Sequence, residues 1–156
     1  MDFAKEIEDP ASRFALSVFK LNGLLMRNGE RITNSLGQSS AKWQVLGRAG
    51  HGPQTVAQMA RDMGLARQSV QRVADNLERA GFVAFRDNPH DQRTFLVEIT
   101  ESGSQVLAGI YEKNRQWIEK LLERVRPELL AEASAQLESL AGAFEQLEKE
   151  EEQGGT

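Results

Sequence analysis

Hydrophobic positions at the start of the chain follow the period of an α-helix. Residues 11–33 carry an apolar stripe at steps of three and four, made of Phe14, Val18, Leu21, Leu25 and Ile32. This spacing predicts an amphipathic helix. A polar break rich in Gly and Ser follows, and Ser39 or Ser40 is suited to cap a second helix, which we expect to end at Gly50.

Two short helices with a tight connection are predicted next. Thr55 and Gln58 have the spacing of a capping box, and the helix that begins there should end at Gly64. A further helix is predicted from Ala66 to Ala80. Its inward stripe consists of Val70, Val73, Ala74 and Leu77. Two short helices joined so closely form a helix-turn-helix.

Two apolar runs after Gly81 predict a β-hairpin. The runs cover residues 82–85 and 94–99, and Phe95, Val97 and Ile99 alternate with other residues as in a half-buried strand. Residues 86–93 between the runs are polar and include turn formers, so the hairpin should have a long charged tip. A helix-turn-helix followed by such a hairpin is a winged helix-turn-helix.

The C-terminal third of the chain predicts two more helices. Thr100 precedes the first, and Pro127 is suited to the first turn of the second. The last helix has a heptad-like seam formed by Leu130, Ala133, Leu137, Leu140, Phe144 and Leu147. Such a seam needs a partner helix, which predicts a homodimer. Residues 148–156 are charged and then Gly-rich, and we expect a frayed acidic tail.

These patterns predict a mainly α fold with a small β-hairpin wing. Residues 1–37 would form an N-terminal dimerisation helix, residues 38–100 the winged helix-turn-helix, and residues 101–156 the C-terminal dimerisation helices and acidic tail. No apolar run approaches the ~20 residues of a membrane span, and residues 1–10 do not resemble a secretory signal. We therefore expect a cytoplasmic protein without a membrane partner.

Composition argues against catalysis. The chain has no cysteine, which excludes disulfides and thiolate chemistry, and its histidines, His51 and His90, both fall in predicted loops. No nucleophile elbow, phosphate-binding glycine loop or spaced carboxylate cluster is present in the sequence. We expect no enzyme, no catalytic residue, no metal site and no cofactor.

The charge of the chain is unevenly distributed. Its net charge is -4, which by itself disfavours a nucleic-acid partner. Residues 38–100 hold eight basic and six acidic side chains, whereas residues 101–156 hold six basic and twelve acidic ones. An acidic tail that lies away from a mildly basic winged region is compatible with DNA binding.

The second helix of the helix-turn-helix carries side chains suited to reading DNA. The outward residues near its N-terminal end are Arg67, Gln68, Gln71 and Arg72, together with Ser69. Arginine can bond a guanine edge with two hydrogen bonds, and glutamine can bond adenine in the same way. A hydroxyl in the first turn of a helix can hold a phosphate. The alternative is that these residues are only the solvated face of an amphipathic helix.

The predicted hairpin tip carries Arg86, His90 and Arg93. An arginine there can enter a narrow minor groove, where negative potential is concentrated. Asp91 lies two residues before Arg93, so in an extended segment the two side chains share a face and Asp91 can orient the guanidinium. The alternative is an exposed ion pair worth ~0–1 kcal/mol.

The stretch from Gln68 to Thr100 resembles the MarR family of transcriptional regulators. The matching features are Val70, Arg72, Leu77 and Gly81, then Asp91-Gln92-Arg93, then Leu96-Val97-Glu98-Ile99-Thr100. Ala66 departs from the resemblance, because the family often has a polar capping residue there. The resemblance implies a repressor, built as a dimer through its first and last helices, that places both recognition helices on one pseudo-palindromic operator in double-stranded DNA.

The resemblance also implies a small-molecule effector, phenolic or anionic, in a cleft beside the dimerisation helices. The residues it points to are Arg13, Phe14, Trp43, Arg48 and Tyr111. Phe14 and Trp43 can equally be ordinary core residues. The competing function is a winged-helix module that binds protein without specific DNA binding, and steep salt dependence of duplex binding would separate the two.

Overall fold

The first two helices pack together at the start of the chain. The computed structural model describes residues 9–154, which leaves the predictions for residues 1–8 and 155–156 outside it. Helix α1 spans Pro10–Asn34 and is capped by Asp9, whose carboxylate accepts a hydrogen bond from Ser12 N. Helix α2 spans Ser40–His51. Ser39 is its cap, since its hydroxyl accepts from Lys42 N, and the helix ends one residue beyond the expected Gly50.

The helix-turn-helix forms as predicted. Helix α3 covers Val56–Met63 and begins with both halves of the capping box, in which Gln58 N donates to Thr55 Oγ1 and Thr55 N donates to Gln58 Oε1. Gly64 ends the helix at φ 61°, a left-handed conformation that glycine adopts at little cost. Helix α4 covers Arg67–Arg79. Its cap position is Ala66, which supplies no side-chain hydrogen bond.

The sheet has one strand that the sequence pattern did not predict. Strands β1 (Gln54–Thr55), β2 (Val83–Asp87) and β3 (Phe95–Ile99) are antiparallel in the order β1-β3-β2. Strand β1 has two residues, too few to show any periodicity, and it forms because Gln54 pairs with Val97. We call β2, β3 and the connecting residues the wing, and residues 88–94 its tip.

The alternation in β3 predicts that Phe95 lies on the buried face of the strand with Val97, and this prediction is wrong for Phe95. Phe95 is 56% exposed, whereas Val97 is fully buried. The register explains the difference, because Phe95 pairs with Asp87 at the end of the hairpin nearest the tip. The core lies at the other end, where Val83 pairs with Ile99.

One apolar core joins the helix-turn-helix to the sheet. Its largest fully buried members include Val45, Leu46, Met59, Val70, Leu77 and Val97. Trp43 packs against this cluster from α2. Because Val70, Ala74 and Leu77 fix the inner face of α4 in this core, the opposite face of α4 must point to solvent.

Two long helices complete the chain. Helix α5 spans Glu101–Leu122 and helix α6 spans Pro127–Gly154. Thr100 caps α5 by accepting from Gly103 N. Val125 lies in the short connection between the two helices. No described residue of α6 is buried.

The prediction of a frayed tail is wrong for residues 148–154, because these residues continue α6. Residues 148–153 are Glu, Lys and Gln, which have good intrinsic helix propensity, and Gln146 bonds Glu150 one turn on. The predicted fold class, mainly helical with a small winged sheet, is confirmed.

The chain divides into two compact units, the first ending at Asn114 and the second beginning at Arg115. The helix-turn-helix and the wing both belong to the first unit. Within residues 9–154, no helix is both long and apolar enough to cross a membrane.

Candidate DNA interface

The outward face of α4 presents a set of unbonded polar side chains. Arg67, Gln68, Ser69 and Arg72 are all exposed. Neither arginine makes a side-chain hydrogen bond or ion pair to any residue within 9–154. Since Ala66 provides no side-chain cap and Ser69 N donates to Ala66 O, the N–H groups of Arg67 and Gln68 are the ones left for partners outside the described residues. The N-terminal end of this helix therefore offers donors both from side chains and from the backbone.

Gln71 differs from its neighbours on α4. Its Nε2 donates to Asp75 Oδ1 at 2.8 Å, one turn further along the helix, and both residues are partly buried. Arg79 Nε in turn donates to the backbone oxygen of Asp75 at 3.3 Å. Gln71, one of the α4 residues predicted to read DNA, is therefore held by the side chain of Asp75 on the same helix.

The wing carries its two arginines differently. Arg86, predicted in the hairpin tip, lies in strand β2 instead, and its Nε is 3.3 Å from Glu98 Oε2 on β3 in an exposed pair. Arg93 bonds Asp91 Oδ1 twice, from its backbone N and from Nε, each at 3.1 Å. The Arg93 side chain nevertheless remains 90% exposed. The pairing of Asp91 with Arg93 that the sequence predicted is therefore present in the structure.

The bonds from Arg93 lower the pKa of Asp91 below its ordinary value of 3.8. The guanidinium contributes most to this shift, followed by the Arg93 backbone N–H. Asp91 is therefore ionised at neutral pH, and its carboxylate holds the backbone N and the Nε of Arg93, while the Arg93 side chain as a whole stays exposed to solvent.

Asn88 organises the wing tip and was missed by the sequence analysis. It is 9% exposed. Its Nδ2 donates to Thr94 Oγ1 at 2.9 Å, and its Oδ1 accepts from His90 N at 3.0 Å. Thr94 Oγ1 then donates to the backbone oxygen of Asp91 at 3.1 Å. The Asn88-Pro89 dipeptide was the available signal, because Asn before Pro favours a turn closed by the Asn side chain.

A groove of about 370 Å³ runs between α4 and the wing. From α4 it is lined by Arg67, Gln71, Asp75 and Glu78. From the wing it is lined by Phe85, Arg93, Thr94 and Phe95. The structure therefore brings residues from both predicted DNA-binding elements to one surface, with arginines and acidic residues in the same groove.

The predicted effector residues lie on three helices and none of them lines this groove. Arg13 is exposed and Phe14 is half-buried on α1. Trp43 packs on the core. Arg48 Nη2 donates to the backbone oxygen of Asp62 at 2.7 Å, which ties α2 to the end of α3. The Tyr111 hydroxyl of α5 lies beside Gly47 of α2.

Comparisons with known proteins give one matching family model and several relatives. A sequence model described as "MarR family" matches residues 36–94. The Mycobacterium tuberculosis protein Rv2011c is 37% identical over 124 residues, which cover 80% of this chain and 87% of that protein. The HTH-type transcriptional regulator YfiV of Bacillus subtilis is 31% identical over 100 residues, covering 64% of this chain and 62% of YfiV.

A solved structure has the same fold. The crystal structure of CouR from Rhodococcus jostii RHA1, bound to p-coumaroyl-CoA, superimposes with a TM-score of 0.75 at 19% identity. The match covers 84% of this chain and 93% of CouR. Its high coverage means that the likeness extends beyond the winged region to the long helices.

Proposed function

Because the chain belongs to the MarR family of transcriptional regulators, we propose that it is a sequence-specific DNA-binding regulator that acts as a homodimer. The MarR family and the relative YfiV are transcriptional regulators and not enzymes. The observation that carries the proposal is the two-sided character of α4. One face is fixed in the core by Leu77 and its neighbours, and the other presents Arg67 and Arg72, whose side chains bond no residue in the described part of the chain.

In this proposal α4 lies in the major groove. That groove admits one α-helix, and its base edges are read by bidentate side chains. Arg67, Gln68 and Arg72 would contact bases from the N-terminal end of α4, and Ser69 with the free backbone N–H groups would hold a phosphate. Each good bidentate contact supplies about 1–3 kcal/mol of discrimination against a wrong base.

The wing would contact DNA beside α4. Arg93 extends from the tip with its side chain 90% exposed, as an arginine that enters a minor groove must. Asp91 holds the Arg93 Nε and so limits the directions in which the guanidinium can point. Arg86 is paired with Glu98 in an exposed ion pair worth ~0–1 kcal/mol, so it can exchange this partner for a phosphate at little cost.

The dimer proposal rests on the apolar residues that α6 leaves uncovered. Leu130, Leu137, Leu140, Phe144 and Leu147 are each between 38% and 60% exposed. Helix α1 has exposed large apolar residues of its own, Phe19 among them at 71%. A two-fold dimer would place two α4 helices ~34 Å apart, one turn of DNA, and would select a pseudo-palindromic operator. Residues 1–37 and 101–156 would supply the dimer contacts, and residues 38–100 the DNA contacts.

Repression relieved by a small molecule is the mode of regulation that we propose. CouR was solved with p-coumaroyl-CoA, a phenolic and anionic compound. Here Arg13, Phe14, Trp43, Arg48 and Tyr111 remain the proposed effector residues. Arg48 lies on α2 and bonds the end of α3, and the Tyr111 hydroxyl lies beside Gly47 of α2, so a ligand against them would act on the helix that supports the helix-turn-helix. A ligand that binds better to a dimer with displaced α4 helices lowers operator affinity by that difference.

The DNA assignment is tested on a duplex of about 30 base pairs, enough for two half-sites, that the protein itself selects from a random pool. Arg72→Ala should weaken binding to this duplex by about 1–3 kcal/mol and relax the preference at one base pair, because it removes a base contact. The matched control is Arg126→Ala, which removes the same charge from an exposed position outside the winged region. Equal losses in both variants, with all base preferences intact, would contradict base reading by Arg72.

The dimer is tested by light scattering at micromolar concentration. We expect the intact protein at about twice the 17.4 kDa chain mass. The double variant Leu137→Glu with Leu140→Glu should be a monomer, because charges would replace the seam. Ser139→Glu adds a charge to the same helix outside the seam and should leave the dimer intact. A monomeric wild-type protein would contradict the proposal.

A further inference from the structure

Gln71 is held differently from the other polar residues proposed to read DNA. Its Nε2 donates to Asp75 Oδ1 at 2.8 Å, while Arg67 and Arg72 make no side-chain bond within residues 9–154. Both members of this pair are partly buried and both line the groove between α4 and the wing. The bond therefore lies on the surface where DNA is proposed to bind.

The chemistry of this bond fixes the orientation of the Gln71 amide. An ionised carboxylate only accepts hydrogen bonds, so Asp75 can bond Nε2 of the amide but not Oε1. The second N–H of Nε2 and the lone pairs of Oε1 then remain for another partner. One donor and one acceptor side by side are what the N7 and N6 positions of adenine require in the major groove. A glutamine without this partner would have to lose rotamer freedom on binding.

We propose that Asp75 is a specificity-determining residue that acts through Gln71. It positions the Gln71 amide so that this side chain favours an A·T pair, without touching the base itself. The inference rests on the proposed function, because it assumes that α4 lies in the major groove. Asp75 follows Arg67 by eight residues, which is about 12 Å along the helix axis. In this arrangement the two residues face different parts of the DNA major groove.

Asp75 has a second, opposite effect on binding. Its negative charge on a DNA-facing groove repels phosphates and lowers the affinity for every duplex alike. The Gln71–Asp75 pair therefore lowers the affinity for all duplexes and raises the discrimination between base pairs. Asp75→Asn removes the charge and introduces an amide that can donate as well as accept, so the Gln71 amide is no longer held in one orientation. A residue with a merely structural role would not change general affinity and discrimination in opposite directions.

The test compares the base preferences of four proteins: the wild type, Asp75→Asn, Gln71→Ala and the double variant. Each selects from the same random duplex pool, and anisotropy titrations then measure its affinity for the wild-type consensus and for duplexes changed at single positions. For Asp75→Asn we expect discrimination at one A·T pair to fall about tenfold and the affinity for unrelated duplexes to rise. Gln71→Ala should lose preference at the same pair. In the double variant, the Asp75 change should cause no further loss.

Glu78→Gln is the matched control. Glu78 is an acidic residue of the same helix that lines the same groove, and Gln71 bonds Asp75 instead. This variant should raise general affinity while the preference at the Gln71 pair stays intact. Thermal unfolding of each variant identifies any that are misfolded. If Asp75→Asn is one of these, Asp75→Ala takes its place in the comparison.

Two failures are distinguishable. If the wild type selects a consensus and Asp75→Asn selects the same one with undiminished preference, the inference is overturned and the proposed function stands. The inference is also overturned if the two single variants lose preference at different pairs. If the wild type selects no consensus at all, the proposed function fails and the inference fails with it.

Discussion

Helix α4 and the wing tip both present arginines to the proposed DNA surface, but they are held in place by different forces. On α4, the buried side chains are Val70, Ala74 and Leu77, each at most 1% exposed. At the tip, Asn88, Asp91 and Thr94 hold a short loop through hydrogen bonds between side chains and backbone. Packing fixes the first element, and polar bonding fixes the second.

This difference separates stability from binding. Apolar burial is worth several kcal/mol per large residue, so a change on the inner face of α4 affects the whole winged region. A hydrogen bond contributes about 0.5–1.5 kcal/mol net, so a change in the tip acts locally. We therefore expect variants of α4's inner face to lose stability first, and variants of the tip to lose DNA affinity first.

Leu77→Ala should give the largest effect on stability. Leu77 is fully buried, and truncating such a residue costs about 2–5 kcal/mol because it leaves a cavity. Urea unfolding followed by circular dichroism measures this loss. The control is Leu65→Ala, since Leu65 is 46% exposed and should cost much less. Equal losses in the two variants would mean that α4 is not fixed by its core face.

Asn88→Ala should have an intermediate effect on stability, about 1 kcal/mol, because it breaks two hydrogen bonds in the tip. Its larger consequence should be weaker binding to the selected duplex, since the turn that carries Asp91 and its bonded partner Arg93 is then less firmly held. In an Arg93→Ala background the Asn88 change should then leave affinity unaltered. Asn34→Ala, an exposed asparagine at the end of α1, is the control. Independent, additive losses of affinity would show that Asn88 does not act through Arg93.

The smallest expected effect is on the titration of Asp91. Its pKa should lie below 3.8 by carboxyl NMR and should rise towards that value in Arg93→Ala, which removes the main cause of the shift. Because the folded pKa is the lower one, the ionised form stabilises the fold above the unfolded pKa and loses that contribution as pH falls through the folded pKa. Arg86→Ala should leave the Asp91 pKa unchanged. If the Asp91 pKa rose in Arg86→Ala instead, the cause of the lowered pKa would be Arg86 and not Arg93.

Periodic elements were predictable from the sequence because each one repeats its signal several times. The stripe of Val70, Ala74 and Leu77, the Thr55 capping box and the Gly64 end of α3 all have local causes that can be read along the chain. The outward face of α4 followed from the same period. The buried residues of α4 define its inner face, and the opposite face is the one left for DNA.

Features that depend on distant partners were not predictable in this way. Strand β1 exists only because β3 lies beside it, and the exposure of Phe95 depends on where the core ends along the hairpin. Asn88 is buried by the fold of the tip. Its neighbours in the sequence indicate only that a turn forms there. The bond between Gln71 and Asp75 was within reach, since the residues are four apart on a helix, but side-chain spacing alone does not reveal which pairs bond.

Sequence-specific recognition through α4 is best tested by an anisotropy titration of the wild-type protein against its selected duplex and a scrambled duplex of equal composition, at two salt concentrations. We expect tighter binding to the selected duplex at both salts, with both affinities falling as salt rises because phosphate contacts release counterions. Binding to neither duplex, or equal binding to both, would contradict sequence-specific recognition through α4. In the first case a protein-binding role for the winged region would take its place.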